Sequence, residues 1–358
     1  MSVSYEVRTP NTPAPISFRH LLHLSDGIGL FEHADLTTPR REHGYCVDDV
    51  ARAFVVVARE PVRSAELTDL STTYLQFVLD AQCEEGAFRN RRAVDGSWSD
   101  EPTAQDCWGR ALWALGTGVA RTPEVVDWRA LESFTRGASL RSPSTRSMAF
   151  AGLGAAEVLT VLPHDLVART LLADAATLIA PPDPLLGRRA TPLEGWHWPE
   201  ARLSYANAAL AETLVAAGSL LGVWKWLTEG LAMLSWLLET ETNEGLVSVC
   251  PASGWGMGEA RTPLDQRPAD VAALADACAR AFDVTADPRW SAAVAKCSAW
   301  FDGANDGGLA LYDPDSGGCG GLEEDGHNED QGAESTIAMI STFQQAQRLG
   351  VATAASVA

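Results

Sequence analysis

The chain has 358 residues, 46% hydrophobic and 21% charged, the composition of a globular protein long enough to bury a large core. Its net charge of −20 repels phosphate backbones and anionic headgroups, which argues against nucleic acid and membrane partners. Residues 1–15 are polar and Pro-rich, lacking the charged start and apolar run of a signal peptide, and no stretch approaches the roughly 18 uninterrupted apolar residues of a membrane span. A cytoplasmic protein is expected.

In chain order, Ile16 to Ser25 reads as a short opening helix. Val47 to Arg59 (VDDVARAFVVVAR) follows, apolar on nearly every side. Leu67 to Gln82 keeps polar residues on one face. Gln105 to Gly116 (QDCWGRALWALG) is again apolar nearly all round, and the alternation repeats. Val126 to Leu140, Leu166 to Ile179, Trp224 to Thr240 and Trp290 to Phe301 are amphipathic. Arg146 to Leu162, Tyr205 to Leu221, Ala269 to Phe282 and Gln331 to Gln345 are apolar and rich in small residues. Pro61, Pro163, Pro181 and Pro288 punctuate the helices. No run shows sustained period-two alternation, although a short strand near Leu246 to Cys250 is allowed.

The apolar helices recur about every 60 residues, with one shorter step, the signature of a repeated hairpin. Small residues at helical spacing suit helices packed closely on several sides. Six hairpins with an apolar inner ring and an amphipathic outer ring predict an all-α (α/α)6 toroid. An open solenoid would want a polar capping repeat, and the last apolar helix is not polar. The expected organisation is a flexible segment over 1–15, one toroid over 16–348, and a tail over 349–358.

The seven cysteines (Cys46, Cys83, Cys107, Cys250, Cys278, Cys297, Cys319) are scattered, with neither a secreted framework nor zinc-ligand spacing. The Gly-rich stretches Gly254 to Ala260 and Gly317 to Gly321 lack the order of a phosphate loop and read as tight turns. No metal and no organic cofactor are expected.

In each hairpin the long loop precedes the apolar helix, so these loops and the positive ends of the inner helices should meet at one cup. The loops combine carboxylates, amides and arginines with aromatic residues and histidines. Carbohydrate sites need that mixture, since aromatic faces stack on sugar CH surfaces and forked polar groups bind hydroxyls.

HGYCVDDVARA, QDCWGRALWALG, LDQRP and LYDPDSGGCGGLEEDGHNEDQGAEST resemble a bacterial family of (α/α)6-toroid, six-hairpin glycosidase-like proteins. Members are often encoded beside, or fused to, glycosyltransferases. The resemblance spans Leu21 to about Arg348 and implies a carbohydrate substrate and a glycosyltransferase partner. The wider toroid class is similar to inverting glycosidases, unsaturated uronyl hydrolases and sugar 2-epimerases, an analogy of fold rather than of site.

Asp49, Asp106 and Glu334 are the candidate catalytic acids. Asp49 and Asp106 open successive inner helices, where a lone aspartate could also serve only as a cap. Glu334 stands one turn into an apolar helix, where an unpaired carboxylate is costly. Candidate substrate-binding residues are His43, Tyr45, Asp48, Arg52, Trp108, Arg110, Trp196, His197, Trp198, Glu200, Trp255, Asp265, Gln266, Tyr312, Asn328 and Gln331. Trp113, Trp236 and Trp300, well inside helices, read as core.

Four activities compete. An inverting glycosidase needs an acid and a base roughly 6.5–9.5 Å apart, a gap that acids on neighbouring inner helices can span. Phosphorolysis is a variant in which Arg52, Arg110 or Arg267 holds phosphate. A 2-epimerase would use paired bases, with His197 and His327 as candidates. A non-catalytic glycan-binding partner of a glycosyltransferase would bind without turnover. A zinc-dependent cyclase would need a Cys/His cluster that the spacing does not offer.

Overall fold

The structure is a computed structural model that describes residues 16–122, 128–180, 195–323 and 325–351. The expected flexible segment 1–15, residues 352–358 of the expected tail, Val126, Pro181 and Glu194 lie outside the described residues. Twelve helices are present among those described. Six form the inner ring: α2 (Val47–Arg59), α4 (Asp106–Arg121), α6 (Thr145–Val161), α8 (Asn207–Leu221), α10 (Pro268–Thr285) and α12 (Ala333–Arg348). The outer partners are α1 (Arg19–His23), α3 (Ala65–Ala81), α5 (Trp128–Gly137), α7 (Leu166–Ile179), α9 (Trp224–Thr240) and α11 (Pro288–Phe301).

Each inner helix packs against the next, and α12 packs back onto α2, so the ring is closed. This is the predicted (α/α)6 toroid. Among the described residues, strands occur only as short two-stranded ribbons in the loops, one of them pairing Thr242–Asn243 with Leu246–Val247.

Local chemistry sets the helix starts. Ser64, Ser144 and Asp165 accept hydrogen bonds from the backbone N–H groups of Leu67, Ser147 and Ala168, filling orphan donors of the first turn. Pro268 and Pro288 occupy first-turn positions, where a missing N–H costs nothing. The tightest packing joins α4 to α6. A Cβ at Gly116 would lie 2.1 Å from the Gly154 carbonyl oxygen, and one at Gly109 2.3 Å from that of Ser147. Glycine here is a requirement of helix approach, not of backbone flexibility.

Three spaces stack along the axis. The cup, about 290 Å3, lies where the inner helices begin. Beneath it a narrow apolar slot of about 60 Å3 is walled by residues from all six inner helices. A wider chamber of about 500 Å3 occupies the far mouth, at the helix C-terminal ends. The far mouth is laced by buried ion pairs. Arg59 Nη1 lies 3.0 Å from Asp276 Oδ1, Arg280 Nε 2.8 Å from Glu212, and Arg121 Nε 3.1 Å from Glu157. Placed near helix C-termini, these arginines also oppose the negative ends of the helix dipoles.

Candidate functional site

The described walls of the cup carry six carboxylates, Glu32, Asp48, Asp49, Asp106, Asp270 and Glu334, and four arginines, Arg52, Arg91, Arg110 and Arg267. Cys46 and Tyr205 complete the polar lining.

Helix α2 supplies the densest part. Asp48 and Asp49 stand in its first turn and Arg52 one turn later. Asp49 is only 3% exposed. Arg52 donates from Nη2 to Asp49, and the same nitrogen lies 3.1 Å from Glu334 Oε2 on α12. One guanidinium nitrogen therefore sits between two carboxylates and ties the last inner helix to the first. Burial pushes the Asp49 carboxyl up. Arg52 pulls it down, Glu334, Glu32 and Asp48 push it up again, and it settles at about 6. Glu334 behaves oppositely. Its side chain is 47% exposed; burial raises its pKa, but Arg52, Arg110 and Arg267 outweigh that and hold it below the ordinary value.

Asp106 is the first residue of α4. It accepts from Ser147 Oγ at 2.7 Å and from the Tyr205 hydroxyl at 2.6 Å. A hydroxyl donor thus meets each oxygen of the Asp106 side chain. Burial, then the hydrogen bond to Asp106, raises the Tyr205 phenol above its usual range. Arg110, one turn along α4, has Nε 3.4 Å from Asp48 Oδ1 and lays its guanidinium 4.3 Å from the Phe150 ring centroid.

The turn before α8 faces this group. Ala206 adopts a left-handed φ of 45° and donates its N–H to Asp270 Oδ1. Asp270 is 4% exposed, and its Oδ2 is buried without a hydrogen-bond partner. Burial pushes the Asp270 carboxyl to about 7, against the Ala206 hydrogen bond and Arg267. Burial and the nearby Asp270 carry the buried Glu241 to about 8.

Among the described residues, one trio, Glu32, Cys46 and Asp49, could converge on a metal ion. The donor set fits poorly. Glu32 is paired with Arg91 and Asp49 with Arg52, while burial drives the Cys46 thiol well up, away from the thiolate a metal needs.

Of the residues singled out in the sequence, the structure gathers Asp48, Asp49, Arg52, Asp106, Arg110 and Glu334 in the cup. It also puts Arg267 there, places the others elsewhere, and several expectations are corrected. Trp108 is fully buried and donates Nε1–H to the Gly137 carbonyl, so it is core. Tyr45 is sealed against Phe31, its hydroxyl donating to Asp26 at 2.7 Å. Gln266 is buried with both ends of its amide used, accepting from Trp300 Nε1 and donating to Asp306. Glu200 forms a 2.8 Å pair with Arg146. Gln331 bonds Ser316 and Asp313, and Asn328 bonds Glu323.

Trp196, Trp198 and Trp255 gather around Trp236 or one another in a side cluster, and none lines the cup. Asp265 sits in a turn with φ 64°, and Tyr312 packs edge-on to Phe343. His43 and His197 are exposed, and neither lines the cup, nor does the exposed His327. Trp300 is core as expected, whereas Trp113 lines the apolar slot. Sequence reasoning missed Glu32, Arg91, Tyr205 and Asp270. Asp270 carried a usable signal: it is the third residue of its inner helix, the same place as Asp49 in α2.

No protein-family model and no curated protein matches the chain. Solved structures do. A sugar epimerase from a ruminal bacterium aligns with TM-score 0.70 at 11% identity, over 93% of this chain and 95% of that one. Cellobiose 2-epimerase from Bacillus thermoamylovorans aligns at 0.68 and 10%, over 93% and 95%. An inactive variant of an α-1,6-mannanase of Salegentibacter, in complex with α-1,6-mannotetrose, aligns at 0.62 and 9%, over 92% and 96%. At these identities the likeness establishes the six-hairpin toroid fold.

Proposed function

We propose that the protein is a carbohydrate-active enzyme that hydrolyses a glycosidic bond in the cup, by inversion, with Asp49 as acid and Asp106 as base. One observation carries this reading. Within one cup a buried Asp49 is pushed to about 6, while Asp106 on the neighbouring helix is held by two hydroxyl donors. A buried carboxyl that holds its proton is the one suited to act as the acid, and Asp49 fits that role. Packed helices generally lie about 8–10 Å apart, so acids on the neighbouring helices α2 and α4 suit the roughly 6.5–9.5 Å gap that leaves room for a water. Glu334, sharing Arg52 with Asp49, is too close to it for that gap. It serves instead as a positioning residue whose negative charge helps Asp49 keep its proton.

In this scheme Asp49 delivers its proton to the glycosidic oxygen as the bond to the anomeric carbon breaks. Asp106 takes a proton from the water that attacks that carbon from the opposite face. The two carboxyls then exchange the proton through solvent, and the cycle restarts. Arg52 and Arg110 bind hydroxyls and oppose the acidic field. The similar mannanase was made inactive by exchanging two consecutive aspartates for alanine, and this chain carries the consecutive pair Asp48 and Asp49 in its cup.

A 2-epimerase is the second reading, favoured by the epimerases among the structural neighbours. It would need carboxylate bases here, because the described cup lining has no histidine. Incubation of manno- and gluco-oligosaccharides in D2O separates the two. New reducing ends of inverted configuration support hydrolysis, and deuterium at carbon two without cleavage supports epimerisation. Binding of a glycan with neither outcome would favour the non-catalytic reading. The glycosyltransferase partner implied by the resemblance belongs to this proposal as well, and co-purification of such an enzyme from the native source would test it.

A further inference from the structure

The apolar slot beneath the cup has no part in the acid–base scheme. Cup and slot share Arg52, Arg110, Ala206 and Ala269, which form a collar between them. Below the collar the sides are mostly hydrocarbon, and the far end is closed by Glu212, Asp276 and Ser341, which are already engaged by Arg280 and Arg59. Phe150 and Trp113 stack at 6.2 Å with an interplanar angle of 12°, and alanines of α8, α10 and α12 stand opposite. Those alanines are why the space exists, since larger side chains would close it. Water in such a slot finds few polar partners, so a ligand group that displaces it should be apolar.

The collar adds a second requirement. Arg110 is nine-tenths buried. Its Nε is within ion-pair distance of Asp48 but makes no hydrogen bond, and its terminal nitrogens have no hydrogen-bonding partner among the described residues. A buried guanidinium over an aromatic ring, with donors to spare, calls for an acceptor supplied by the ligand. The complementary group is thus an acceptor oxygen attached directly to a small apolar end. A hydroxyl offers the oxygen without the apolar end, and the methyl of a deoxy sugar offers the reverse. An acetamido group offers both, its carbonyl at the Arg110 collar and its methyl against Phe150 and Trp113. A slot of about 60 Å3 admits a group of that size but not a second sugar ring.

We propose that the slot is a specificity subsite for the acetamido substituent of an N-acetylated sugar, which makes such sugars the preferred ligands of the cup. The inference rests on the carbohydrate reading and narrows it to one substrate class.

Monosaccharides avoid the unknown linkage. Calorimetric binding is compared for N-acetylglucosamine, N-acetylmannosamine and N-acetylgalactosamine, for the parent glucose, mannose and galactose, and for the 6-deoxy sugars fucose and rhamnose. At least one acetamido sugar should bind about 10-fold or more tighter than its parent. Ala273→Leu, which projects into the slot from α10, should erase that preference while leaving the parent's affinity within about 3-fold. Ala273→Val fills less and serves where the leucine variant does not fold. Parent sugars binding as tightly as acetamido sugars would overturn the inference and leave the carbohydrate reading standing. Preference for the 6-deoxy sugars alone would also overturn it. Failure of every sugar to bind would overturn both.

Discussion

Asp49→Asn tests the acid assignment through stability before any substrate is known. The folded carboxyl stands at about 6 against an ordinary 3.8, a difference worth about 3 kcal/mol between its two protonation states. The folded protein holds this proton more tightly than the unfolded chain does. The stabilising contribution is therefore fully present below pH about 3.8 and is lost as pH rises through about 6. Asparagine carries no such titration. Urea unfolding of both proteins at steps from pH 4 to 7.5 should show the variant gaining on the wild type by up to about 3 kcal/mol. Most of the change should fall below pH 6.5. A difference constant to within about 0.5 kcal/mol across that window would refute the elevated pKa, and with it the choice of Asp49 as acid. In the hydrolytic reading the same variant, folded, should lose about 100-fold or more in turnover, because an amide has no proton to give.

Asp106→Asn should keep the fold, since the isosteric side chain makes no cap bond to lose and its amide oxygen still accepts from a hydroxyl, and should lower turnover by roughly 100-fold or more. Wild-type turnover in a folded variant would remove it from the machinery. Gly116→Ala should cost about 3 kcal/mol or more in thermal unfolding, because its Cβ would meet the Gly154 backbone, which has no flexible end to yield. An unchanged melting temperature would show that α4 and α6 do not pack this closely. Arg280→Met should cost about 3–5 kcal/mol by leaving the buried Glu212 unpaired, while Glu157 keeps Arg121, and a neutral result would mean the far mouth is wetter than its ion pairs suggest. Activity, once found, should survive a chelator; loss restored by zinc or calcium would show that Glu32, Cys46 and Asp49 do hold a metal.

The fold was legible because its physical signal is long-range and redundant. An inner helix of this toroid touches two inner neighbours and its outer partners, so it must be apolar nearly all round. Repetition of that pattern six times specifies a ring without any single boundary being right. The boundaries of α2, α7 and α9 coincide with the expected ones, whereas α4 runs on to Arg121, beyond the expected end at Gly116. Small residues at helical spacing pointed to close packing, and the glycines of α4 do let α6 approach, but which helix approaches and how closely cannot be seen in one helix alone.

The site was legible only where helix geometry fixes it. Asp48, Asp49, Arg52, Asp106, Arg110 and Glu334 lie within about two turns of inner-helix starts, so naming the helix was enough to place them in the cup. Loop residues had no such constraint. Trp196, Trp198 and Trp255 carry the aromatic faces a sugar site wants, yet three tryptophans near one another gain as much by burying each other with Trp236. Gln266 and Gln331 show the same competition for polar groups, since a buried amide can satisfy itself on the protein and leave nothing for a ligand. The opposite case is Arg110. Four residues after Asp106 on one helix is the spacing of an ordinary i,i+4 pair. In the structure Asp106 is taken by Ser147 and Tyr205, and Arg110 turns to Asp48 and the Phe150 ring. A cation freed from its nearest acid by two hydroxyls, and buried at the mouth of an apolar slot, is the group most open to an incoming ligand. That position depends on three other helices, α2, α6 and α8, and so could not be read from α4 alone.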